Sequence, residues 1–175
     1  KEEVAPTGLR SIIAIPIGDI LAGKNVAFLH GEITGIDRTQ RLVQINRNRE
    51  LGYTFLILAL GSEINYFDIP GLREHALPLK RFEDAVRIRN KIERTLLERR
   101  ELTLVVGGAG ASGVELAAEF SNFVCYLAKR ILHNPTRPIR LVLIEASHTI
   151  LPGFEQKIIQ RASNRLTKLG VEIHT

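Results

Sequence analysis

The sequence predicts an α/β protein in two parts, a β-rich segment over residues 1–73 and a parallel sheet with crossing helices over residues 74–175. Three observations predict it. From residue 102 onward, apolar runs of strand length alternate with amphipathic stretches of helix length. The first of those strands stops at a glycine cluster, GGAGASG at residues 107–113, which opens a helix. Before residue 73 short apolar stretches, alternating with period two over 31–36 and 41–45, are cut by turn residues.

The elements follow in order. Residues 26–30, VAFLH, begin a strand that residues 31–36 continue with alternation. Residues 37–39, DRT, read as a turn. Residues 41–45, RLVQI, alternate polar and apolar as a half-buried hairpin strand does. Residues 53–60, YTFLILAL, are apolar almost throughout and predict a strand buried on both faces, as parallel strands are. Gly61 and Ser62 end it. Pro70, Gly71 and Pro78 crowd the stretch 65–79, which reads as a linker with a domain boundary near residue 73.

A helix is expected from residue 82 to 99, because Ala85, Ile88, Ile92 and Leu96 recur at helical spacing. Residues 102–106 form a short apolar strand. Residues 112–132 form a helix with Leu116, Phe120, Phe123, Leu127 and Ile131 on one stripe. HNPTRP, residues 133–138, breaks it with two prolines. RLVLIE, residues 140–145, is the next strand. A helix over 155–169 stops at Gly170, and residues 171–173 begin a third strand. Strands joined through a helix imply a parallel sheet with a right-handed crossover.

Composition narrows the function classes. Apolar residues make up 45% and charged residues 25%, as in ordinary globular proteins. No apolar run approaches the roughly 20 residues of a membrane span. KEEVAPTGLR is polar with no apolar stretch behind it, so no signal peptide is expected. The net charge of +5 owes much to residues 80–100, with eight basic and four acidic side chains. Those charges fall on the solvated face of the expected helix, without the interleaved aromatics of a stacking platform, so no nucleic-acid partner is expected. Cys125 is the only cysteine, which excludes an internal disulfide or a C-x-x-C pair and fits a reducing compartment. It reads as a small buried filler. The five histidines show no metal-ligand spacing, so no metal is expected.

The glycine cluster carries the chemistry. Gly108, Ala109, Gly110, Ala111, Ser112 and Gly113 fit G-x-G-x-x-G between a strand and a helix. Gly108 permits the tight turn, Gly110 has no Cβ to keep a pyrophosphate off the main chain, and Gly113 lets the helix pack closely. The helix N-terminus offers N–H groups and partial positive charge to phosphates. Glu145, at the end of the second strand, is placed to accept hydrogen bonds from adenosine ribose hydroxyls. It follows Gly113 by 32 residues, more than the usual spacing, because the helix and the loop after it are long. Its carboxylate repels a 2′-phosphate, which favours NAD(H). The bland alternative is a glycine-rich turn with an acid that caps the strand. The fold class is therefore a Rossmann-like NAD-binding domain preceded by a β-rich piece.

The segments NRELGYTFLILALGSEINYFDIPGLREHALPLKRFEDAVRIRNKI, LTLVVGGAGASGVELAAEF and LVLIEASHTILPGFEQKIIQRASNRLTKLGVEIHT, in this order, resemble type II NADH dehydrogenase. That family belongs to the flavoprotein pyridine nucleotide–disulfide oxidoreductase superfamily. The resemblance runs from about residue 8 to the end. It implies two Rossmann-like domains, for FAD and NAD(H), with hydride passing from NADH to the flavin and electrons then to a membrane quinone. It implies that Gly108, Gly110 and Gly113 cradle the NADH pyrophosphate and that Glu145 holds the ribose. It places Glu115 near the nicotinamide–flavin junction, the catalytic assignment. An acid near a helix N-terminus also suits the helix dipole without any catalysis. Ala59, Leu60 and Gly61 match the segment that ends a strand beside the flavin, although Leu60 replaces a common threonine and Gly61 also reads as a simple strand end. Residues 1–73 are then part of an FAD-binding domain, and 74–175 an NAD(H)-binding domain.

The resemblance further implies that the flavin's own glycine motif precedes Lys1, and that a later flavin segment and a membrane-attachment region follow Thr175. The chain is thus expected to be an interior piece, inactive alone, of a cytoplasmic protein that meets the inner face of the cell membrane only through those other regions. A homodimer formed through unpaired strand edges is open. Two other functions stay open as well, an NADH-dependent reductase of a small redox protein and a non-catalytic NAD-sensing module.

Overall fold

The computed structural model describes residues 14–46, 48–98, 101–132 and 139–175. The chain divides into two compact units, residues 1–76 and 77–175.

Among its described residues the first unit has a short helix α1 (Ile17–Leu21) and an antiparallel meander of β1 (Ile33–Asp37), β2 (Leu42–Ile45) and β3 (Arg49–Gly52), in that sheet order. In β2 the alternation works as period two requires: Val43 and Ile45 are buried and Gln44 is exposed. The β1–β2 turn is closed by Asp37, whose carboxylate accepts N–H bonds from Thr39 and Gln40 at 2.8 Å each. A helical turn, α2 (Leu72–His75), follows Gly71, whose φ of +78° favours glycine.

Two expectations fail in this unit, and one strand appears that the sequence did not announce. Residues 26–32 form no strand, and pairing begins at Ile33. Residues 53–60 form no strand either, and Phe55 and Ile57 are 91% and 88% exposed. A strand buried on both faces needs a neighbour at each edge and a layer over each face. The described residues of this unit supply only the meander, whose last strand stops at Gly52. β3 gives no apolar signal in RELG, and its pairing with β2 alone defines it.

The second unit runs α3 (Phe82–Glu98), β4 (Leu102–Gly107), α4 (Ala111–Leu132), β5 (Ile139–Ile144), α5 (Gln156–Lys168) and β6 (Val171–His174). The strands are parallel in the order β4-β5-β6. Gly107 pairs with Ile144 and Ile144 with His174, so the three strands end level. One sheet face buries Leu102, Val106, Leu141, Leu143 and Val171 beneath the helices. α3 buries Val86, Ile88, Ile92 and Leu96, with Val86 replacing the expected Ala85, which is exposed. α3 starts where Asp84 accepts main-chain N–H bonds from Arg81 (2.9 Å) and Lys80 (3.0 Å), and those bonds hold its carboxyl below the ordinary range. α5 ends at Gly170, φ +77°, which continues into β6.

Cys125 is exposed, contrary to expectation. The buried positions of α4 include Ala117, Val124, Leu127 and Ala128, and Cys125, one residue on from Val124, turns about 100° away from that stripe. The Ile131 position of the expected stripe and the loop 133–138 lie outside what is described of side chains and backbone respectively.

Candidate functional site: the turn at the level strand ends

Parallel strands that end level present main-chain groups along one rim, and here the rim is closed by main-chain hydrogen bonds. The Gly108 N–H donates to the Ile144 carbonyl (2.8 Å), and the Glu145 N–H donates to the His174 carbonyl (2.8 Å). The turn from β4 into α4 is thereby tied to β5, and β5 to β6. Between them sits Ala109, fully buried at 0% exposure.

The three motif glycines answer to three different demands. Gly108 has φ +93°, a left-handed conformation that side chains disfavour. A Cβ on Gly113 would overlap the Gly108 carbonyl oxygen and touch Leu143, so the first turn of α4 lies directly on the turn before it. Gly110 differs from both. Its φ is not left-handed, and a Cβ there would meet nothing within 4 Å. The fold itself does not require glycine at 110, and the space beside it is open. The amides of the first turn of α4 have no acceptor within their helix and gather the positive end of its dipole. A bare, open main chain beside such a helix start fits a diphosphate.

Glu145 lies at the same rim, half-buried just past β5. Its Oε1 accepts the Ser147 N–H (2.9 Å) and its Oε2 accepts the Ala109 N–H (2.7 Å). These bonds, Ser147 first and Ala109 second, hold its carboxyl below the ordinary range. The group is therefore an anion at neutral pH, with lone pairs left for further donors. The Leu151 N–H donates to the Ala109 carbonyl (2.7 Å).

The structure thus brings Gly108, Ala109, Gly110, Ala111, Ser112, Gly113 and Glu145 to one rim. Glu115 lies on α4 one turn beyond its first residue, exposed. Ala59, Leu60 and Gly61 lie in the other compact unit, in an exposed stretch outside any strand, with Gly61 at φ +77°. Sequence reasoning missed Ser147 and Leu151, because both act through main-chain N–H groups that leave no residue-type signature. The Pro152-Gly153 pair after Leu151 was the available hint of a built turn. Among the described residues no group of three metal-ligating side chains converges, and no helix is long and apolar enough to cross a membrane.

Comparison with known proteins gives the family of the chain. The chain is 34% identical over 136 residues to the external alternative NAD(P)H-ubiquinone oxidoreductase B1 of Arabidopsis thaliana mitochondria, covering 71% of the chain and 24% of the relative. It is 28% identical over 165 residues to the type II NADH:quinone oxidoreductase of Staphylococcus haemolyticus, covering 90% of the chain and 40% of the relative. The chain thus spans well under half the length of these relatives. Among solved structures, the NDH2 of Plasmodium falciparum in complex with NADH superposes with a TM-score of 0.66 at 26% identity, over 84% of the chain and 33% of that protein. The sequence profile of one family matches residues 6–175, nearly the whole chain, and the chain belongs to that family, the pyridine nucleotide-disulphide oxidoreductases.

Proposed function

We propose that the second unit binds NADH at the glycine turn, and that the whole protein is a flavin-dependent NADH:quinone oxidoreductase to which this chain contributes the coenzyme side. Gly110 supports this most directly, being a glycine that neither backbone conformation nor internal packing demands, beside open space at a helix start. The residues present fit the coenzyme. Gly108, Ala109, Gly110, Ala111, Ser112 and Gly113 would lie along the pyrophosphate, and Glu145 would accept from the adenosine ribose. The anionic Glu145 also disfavours a 2′-phosphate, so NADH is preferred over NADPH.

Glu115 would face the nicotinamide end, where a carboxylate can accept a hydrogen bond. Ala59, Leu60 and Gly61 would border the flavin, with residues 1–73 forming part of the FAD-binding domain and 74–175 the NAD(H)-binding domain. FAD, when bound, supplies the two-electron acceptor for hydride and hands electrons on to the quinone. What this chain's own groups do is narrower. They would donate oriented N–H groups to the diphosphate and fix the adenosine ribose. The whole protein would meet its quinone at a membrane surface through regions other than these.

The test is a titration of the full-length protein with NADH and with NADPH, alongside turnover with a soluble quinone and with a ferredoxin. NADH should bind at least tenfold more tightly than NADPH, Glu145→Gln should shrink that ratio, and the quinone should be reduced. Equal affinity for the two coenzymes, or reduction of ferredoxin alone, refutes the assignment.

A further inference from the structure

We infer that Glu145 is a positioning residue for the glycine turn, holding the Ala109 peptide in place together with Leu151. This rests on the coenzyme reading for its functional meaning, but the contacts themselves belong to the coenzyme-free protein. A carboxylate kept only for ribose hydroxyls would need no partner inside the chain. Here each oxygen takes a peptide N–H, one two residues onward at Ser147 and one 36 residues back at Ala109.

The Ala109 peptide groups are held from both sides. Glu145 accepts from the N–H, and the Leu151 N–H, six residues further along the same connection, donates to the carbonyl. Ala109 is fully buried, so neither group can turn to water if its partner is lost. Leu151 itself sits at φ +49°, an unfavourable conformation for a residue with a side chain. Its burial and the bond to Ala109 hold it there. The connection between β5 and α5 thus works as a two-point clamp on the middle of the turn. Gly110 follows Ala109 directly, so the clamp sets how the bare main chain faces the open space. One carboxylate then serves two neighbouring parts of the coenzyme, touching the adenosine ribose and aiming the peptide that precedes the phosphate contact.

Hydrogen exchange by mass spectrometry on the full-length protein without NADH tests this. In Glu145→Ala, amides in peptides covering residues 107–113 should exchange about tenfold faster or more, as loss of a hydrogen bond to a charged group implies. Peptides from α3 should exchange as in the wild type. Glu145→Gln keeps one acceptor oxygen and should restore part of the protection, and it carries the test alone if the alanine variant does not fold. Unchanged exchange over 107–113 overturns the inference. So does a uniform rise across residues 77–175, which would mark a general stability role. NADH titration of the same samples separates this result from the coenzyme assignment, since the clamp can be present in a protein that fails to bind NADH.

Discussion

Gly110→Ala and Gly113→Ala add the same methyl group three residues apart and should have opposite effects. At Gly113 the new Cβ would overlap the Gly108 carbonyl oxygen, far inside the ~3.3 Å at which carbon and carbonyl oxygen normally stop. Either the turn or the start of α4 must shift by something on the order of 1 Å, in a region where Ala109 and Leu143 are fully buried. Overpacking of this kind costs about 1–3 kcal/mol. In a unit of this size that lowers Tm by roughly 4–8 °C per kcal/mol. At Gly110 the Cβ meets nothing within 4 Å and the backbone is not left-handed. Stability should hold or rise by about 0.4–1 kcal/mol through lower entropy of the unfolded chain. Binding should suffer instead. On the proposed reading, a methyl group in the open space would displace the diphosphate from its N–H partners, and losing one bond to a charged group, about 1.5–3 kcal/mol, would weaken NADH by roughly ten- to a hundredfold. Thermal melts without coenzyme and calorimetric titration with NADH measure both effects on the same samples. NADH affinity unchanged in Gly110→Ala would refute the reasoning, as would a Gly113→Ala protein as stable as wild type.

Two further outcomes are expected. Leu143 is fully buried in the central strand β5, and Leu143→Ala should cost about 2–5 kcal/mol in a denaturant titration of the second unit. Asp84 and Glu145 both have folded pKa values below their unfolded ones. The stabilisation they give is complete above the unfolded pKa of about 4 and is lost as pH falls through the lower folded values. Thermal melts should therefore show a decline confined to acid, and Asp84→Ala, which removes the start of α3, should cost about 1 kcal/mol at neutral pH and flatten that decline.

The second unit was legible because its signals are redundant. Ile88, Ile92 and Leu96 repeat at helical spacing, residues 141–144 are an unbroken apolar run, and Gly170 sits where a helix must end. Each is a local statement that later packing only has to accept. The first unit was harder for the opposite reason. An apolar stretch such as 53–60 states only that it must be covered, and what covers it is decided by distant partners. β3 is the converse case, with Leu51 the one large apolar residue in RELG and the strand recruited by register against Leu42 to Ile45. Cys125 shows the limit of residue type as a guide to burial, since one helical position decides whether a small apolar side chain faces the core. At the rim, the glycine spacing and Glu145 could be read from the chain, whereas Ser147 and Leu151 could not, because peptide groups look alike in any sequence.

The bonds that join Gly108 to Ile144, Glu145 to His174 and Leu151 to Ala109 all run between backbone atoms. Such a scaffold is copied whenever the topology is copied, whatever side chains decorate it. Drift at exposed neighbours such as Ala146 or His148 can then reshape the surface of this rim while its main-chain frame persists, which makes this corner of the molecule a durable starting point for diversification.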